Sequence, residues 1–198
     1  MKLTQRVAPA GLPITTQEIL DHLRIADANP PDLADILRIA AGCVAELDGP
    51  TGKLRRALMP QSWSLWLDSF CDRTALPLPP LISVDSILYL GSDFAWQTLA
   101  EEHYRVIDGG YDRSEIVLAP PQSWPATAQT PACIEIRFTA GYVDGSPPEP
   151  SVPRDIVNAA LEMVALRYSV RDGLMFNTDR MVDELPAMQA LQRYRVYC

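Results

Sequence analysis

A chain of 198 residues holds one domain, or one domain carrying an insertion, and an apolar fraction of 47% is enough to build a core. The formal net charge of −8 argues against a protein that grips nucleic acid, because such a protein needs a basic face to release counterions. The opening MKLTQRVAPAGLPITTQE lacks the apolar run of a signal peptide, and no stretch reaches the ~18 apolar residues of a membrane span, so a soluble, intracellular protein is expected.

The charge is unevenly spread. Residues 1–59 carry seven acids and seven bases; residues 60–142 carry ten against four, a balance of −6; residues 143–198 carry eight against six. Fifteen of the seventeen basic residues are arginine, which fits protein interfaces and a GC-rich genome equally well.

In chain order, Thr15 with Glu18 three residues on forms a capping box ahead of Ile19, Leu20 and Leu23, predicting a first helix. Pro30 and Pro31 break it, and Asp32 is placed to cap a second helix. That helix carries Leu33, Ile36, Leu37, Ala40, Cys43, Val44 and Leu47 as its apolar stripe, and DGPTG ends it at 48–52. The texture then becomes alternating. SWSLWLD puts Trp63, Leu65 and Leu67 on one face and Trp66 on the other. LISVDSILYL and FAWQTL flank GSD as one hairpin, and HYRVI and SEIVLA flank DGGYDR as another. ACIEIRFTAGY turns Ile134, Ile136 and Phe138 to one side. Residues 60–142 therefore read as an antiparallel unit of five or six short strands. A proline-rich loop leads to Pro153 and Asp155 at the head of a third helix bearing Ile156, Val157, Ala160, Leu161, Val164 and Tyr168. RDG closes it at Gly173, residues 174–182 read as a loop or arm, and DELPAMQALQRYR forms a last short helix with Leu185, Met188, Leu191 and Tyr194 at three-residue steps.

The fold class predicted is α+β: a helical bundle built from N- and C-terminal helices with a small antiparallel β domain inserted. Residues 1–59 form the N-terminal helical part, 60–142 the inserted domain, and 143–198 the helices that complete the bundle. Two amphipathic helices rarely bury enough surface to stand alone, so the two halves are expected to pack together.

Chemistry is sparse. The four cysteines (Cys43, Cys71, Cys133, Cys198) sit singly, without CxxC spacing, and His22 and His103 lie far apart, so neither a metal site nor a cofactor is expected. Neither histidine has a nucleophile motif around it, there is no GxGxxG or P-loop, and no carboxylate pair is set across a cleft, so an enzyme is not expected. Tryptophans 63, 66, 96 and 124 read as packing pieces of the sheet. Trp66, on the outward face, is a candidate subunit contact.

LPITTQEILDHLRI, then GPTGKLRRALMPQSWSLWLDSF, LPLPPLISVDSILYL, HYRVI, FTAGY before the proline loop, and VPRDIVNAALEMVALRY occur in an order that resembles the head–tail connector (adaptor) proteins of long-tailed bacteriophages, prophages and phage-derived gene transfer agents. The likeness spans residues 12–195; where the family carries YTGR, this chain has DGPTGK. The resemblance implies a homo-oligomeric ring, typically of twelve copies, that binds the portal protein, extends the DNA channel and presents a surface to a stopper or tail-completion protein. It implies a particle component made in a bacterial cytoplasm, with no membrane partner and no sequence-specific contact to the DNA passing through. The family's portal-reaching segment maps onto residues 183–198, which assigns portal contact to Leu185, Met188, Leu191, Tyr194 and Arg195. An acidic lumen would let DNA slide, and its candidate lining is part of the −6 stretch at 60–142 or the helix carboxylates Asp32, Asp35 and Glu46. Two other readings remain: a stopper or tail-completion neck protein, and a small-ligand-binding or enzymatic domain whose site is unrecognised.

Overall fold

The computed structural model describes residues 1–110, 112–143, 151–170 and 178–196. The fold is α+β with antiparallel sheets. Two compact units divide the chain: Met1–Ala10 with Met59–Tyr142, and Gly11–Leu58 with the described part of Val143–Cys198.

The first unit is built on a five-stranded sheet in the order β1-β2-β8-β4-β5, from β1 (Lys2–Val7), β2 (Gln61–Leu67), β4 (Leu81–Leu90), β5 (Trp96–Thr98) and β8 (Ile134–Ala140). A second sheet orders β3 (Arg73–Ala75), β7 (Glu115–Leu118) and β6 (Tyr104–Ile107) as β3-β7-β6. Both predicted hairpins are present, β4 with β5 and β6 with β7. The inserted stretch holds seven strands in two sheets rather than five or six, because β3 is too short to show alternation in sequence. Residues 2–7, read above with the helices, form a strand. KLTQRV covers the open edge of β2 in antiparallel register, Leu3 opposite Leu65.

Strand alternation sets the core. Trp63 opposite Phe138 and Leu65 opposite Ile136 are the cross-strand pairs, and all four side chains are buried. Gly141 ends β8 at φ +134°, a conformation costly for any residue with a side chain, and its N–H donates to the Pro80 carbonyl at 2.9 Å. A Cβ there would lie 2.3 Å from the Met59 carbonyl oxygen, so the chain passes at a separation only glycine allows.

The second unit is organised around α3 (Arg154–Ser169), against which α1 (Thr16–Leu23), α2 (Leu33–Leu47), α4 (Thr178–Glu184) and α5 (Pro186–Ala190) pack. Beyond the predicted stripe, α3 also buries Ala159 and Met163, so its apolar surface runs round much of its circumference. Thr15 and Glu18 form the capping box: Thr15 Oγ1 accepts the Glu18 N–H at 3.2 Å, and Glu18 accepts the Thr15 N–H at 2.9 Å. That backbone bond, then the bond from Arg154, holds the Glu18 carboxyl below its ordinary range. Asp32 sits at the N-cap of α2 but makes no capping bond through its side chain. Its carboxylate instead accepts the Tyr168 hydroxyl at 2.8 Å, tying α2 to the end of α3. After α2 the GPTGK turn folds back, and Lys53 N–H meets the Glu46 carbonyl at 2.7 Å, satisfying a helix-end acceptor.

The C-terminal stretch also departs from expectation. Residues 178–184 are helical rather than an arm, while 174–177 and Gly173 lie outside the described residues. The single last helix is divided: α4 stops before Leu185, Pro186 takes the first position of α5 because it has no N–H to continue α4, and Leu191–Tyr194 forms a 3-10 turn.

Candidate assembly surfaces

The predicted portal contacts lie on the elements just described, and the structure uses several of them internally. Met188 and Leu191 are buried, 8% and 2% exposed, on elements packed against α3. Leu185 and Tyr194 are half-buried and Arg195 is exposed. The Tyr194 hydroxyl donates to Asp155 Oδ2 at 3.0 Å, and the Arg193 guanidinium pairs with the same carboxylate. Arg56, 3% exposed, donates its Nε–H to the Tyr194 carbonyl, and Val196 N–H donates to the Leu54 carbonyl at 3.0 Å. Lys53 pairs with Asp183. A groove of about 320 Å³ lies among Lys53, Leu54, Asp183, Met188, Leu191 and Arg195. Arg56 and Leu54 are not singled out by sequence. Asp155 carried only a helix-dipole signal, and nothing local announces a contact made 138 residues away, as between Arg56 and Tyr194.

The three acidic candidates differ in their engagement. Asp32 is bonded to Tyr168, and Glu46 pairs with Arg167 at 2.5 Å. Asp35 is the exposed one, its side chain 61% accessible and paired at 3.3 Å with Arg38 on the same helix.

Trp66 is half-buried rather than outward and free. Its Nε1–H donates to Thr4 Oγ1 at 3.1 Å, and its ring meets Trp96 edge-on, with centroids 6.2 Å apart. Beside it Glu135 is 6% exposed yet charged. Burial pushes its carboxyl up, but bonds from Arg137 at 2.8 Å and Ser64 at 2.6 Å, with the charges of Arg137 and Arg6, outweigh this and hold it below the ordinary range. Apolar groups that do face outward include Phe94 and Trp96 on the β4–β5 hairpin and Val106 and Ile107 on β6, an edge strand. Alternation in sequence cannot distinguish an edge strand from a central one.

For chemistry, His22 is exposed on the last turn of α1, and burial pushes the Cys43 thiol up to about 11, so it is no thiolate at neutral pH. Among the described residues no three His, Cys, Asp or Glu side chains group as metal ligands, and no helix is long and apolar enough to cross a membrane.

No protein-family model matches the chain, and no curated protein matches it. Solved structures do. A chain in the neck of an empty gene transfer agent particle, computed with C6 symmetry, superposes with a TM-score of 0.76 at 22% identity, over 100% of this chain and 97% of that one. The fold is that of a gene transfer agent neck chain. The virion of the native gene transfer agent particle gives a TM-score of 0.75, and the neck of the native particle with C12 symmetry gives 0.72, with the same identity and coverage. This neck fold spans both units, the sheet and the helices alike.

Proposed function

We propose that this chain is the structural adaptor of a particle neck: it assembles as a ring of twelve beneath the portal, extends the DNA channel and joins the capsid to a stopper or tail protein. The observation that carries the reading is the match of the whole chain, rather than one unit, to chains from necks of C6 and C12 symmetry. Both units then have a use. The helices around α3 form one bundle that builds the ring wall, with the sheet unit inserted in it. The portal contact is Leu185, Met188, Leu191, Tyr194 and Arg195. Subunit contact at the Trp66 position passes to Trp96, whose ring stands exposed beside it. Asp35, the most open of the three acids, heads the channel lining, with Asp32 and Glu46 behind it in internal pairs. Shape and display in many copies are the output, with no catalytic step.

The test is assembly. Mixing the purified chain with the portal protein of the same genome should give a particle whose mass adds twelve copies, read by native mass spectrometry or mass photometry. A monomer that leaves the portal mass unchanged would refute the adaptor reading.

A further inference from the structure

We infer that residues 182–196 are latched onto their own subunit, and that a partner docking on Leu185, Met188, Leu191 and Tyr194 must first open the latch. This rests on the portal-facing reading of the segment proposed above. Two of the four docking side chains, Met188 and Leu191, are already buried against the chain's own helices. Pins hold the segment near both ends. At its start Asp183 pairs with Lys53; at its end Asp155 takes Arg193 and the Tyr194 hydroxyl, Arg56 takes the Tyr194 carbonyl, and the Leu54 carbonyl takes Val196 N–H. The same face cannot be packed inward and offered to a partner at once.

The closed form also carries a penalty. Arg56 Nη1 is buried without a hydrogen-bond partner, and an unmet donor on a buried guanidinium is costly until water reaches it. The ion pairs Asp155–Arg193 and Lys53–Asp183 involve largely exposed side chains, which hold weakly. Closure therefore depends mainly on two apolar side chains and a few hydrogen bonds, an arrangement that small changes can tip. A partner that binds only the open form sees its affinity reduced by the open fraction, so a variant that opens the segment tenfold more often binds tenfold more tightly.

Two variants test this. Asp155→Asn weakens the pair with Arg193 and keeps the side chain's shape. Val196→Pro deletes one N–H, and Arg195 at φ −71° and ψ 129° already has the extended conformation that precedes proline. In the free protein, amide exchange across 187–195 should quicken by up to about fivefold in Asp155→Asn and by about tenfold in Val196→Pro, while α2 exchanges as in the wild type. Affinity for the purified portal protein of the same genome should rise by about the same factor. Unchanged exchange in both variants overturns the latch. Faster exchange with equal or weaker portal binding also overturns it, because the closed segment would then be the binding form. Failure of the portal reading looks different: wild type and both variants would all leave the portal unbound, and the inference would fall with it.

Discussion

The sheet unit and the helical unit dispose of their apolar side chains in opposite ways. Of the large apolar residues left exposed among the described residues, Met181 alone belongs to the helical unit; Met1, Val7, Ile82, Phe94, Trp96, Val106 and Ile107 all belong to the sheet unit. Helices gathered around α3 turn their stripes toward one axis and have little left to show. Open antiparallel sheets end in edges, and β5 and β6 carry apolar groups there that no neighbouring strand covers. Exposed apolar groups of this kind suit a contact surface, and among the described residues the sheet unit carries more of them than the helices do.

All four tryptophans, Trp63, Trp66, Trp96 and Trp124, lie in the sheet unit, whereas the long helices lie in the other. Tryptophan emission therefore reports one unit and circular dichroism at 222 nm mainly the other, and the contrast can be broken from either side. Gly141→Val should do most. Strain at φ +134° and the overlap with Met59 should cost at least about 3 kcal/mol, seen as an early loss of native tryptophan emission in a urea titration. Met163→Ala, a fully buried position on α3, should cost about 2–4 kcal/mol and move the helical transition first. Glu135→Gln should cost about 1–2 kcal/mol at neutral pH by leaving Arg137 and Arg6 without their anion.

The sign of the pH effect follows from the lowered carboxyl. Its contribution is present above the unfolded-state pKa and is lost as the pH falls through the folded value, on the acid side of the ordinary carboxylate range. The wild type should lose tryptophan-reported stability over that acid range, and the Gln variant should lack this part of the decline. Thr15→Ala is the smallest change, about 1 kcal/mol in the helical transition from loss of the capping box, with tryptophan emission of the native state unaltered.

What the sequence made legible followed distance along the chain. The capping box spans three residues, and the two hairpins join neighbouring strands, so their signals are local. Asp32 was legible as the residue at the head of α2 and sits there, but its carboxylate serves Tyr168, 136 residues on, rather than the helix end. The stripe Leu185, Met188, Leu191 and Tyr194 shows the same limit from another direction. Two of its four side chains, Met188 and Leu191, are buried, but spacing alone does not say whether apolar residues are covered by another protein or by the chain's own α3. The exposure of Val106 and Ile107 depends on where β6 falls in its sheet, a property of topology that the tetrapeptide YRVI does not encode.

A chain only 22% identical to this one takes the same fold, so most side chains can differ while the architecture stays. The crossing at Gly141 has no such latitude, since even a methyl group would overlap the Met59 carbonyl. Any chain that threads this crossing in the same way is expected to hold glycine here, which gives a fixed point for superposing chains of this fold whose other residues differ.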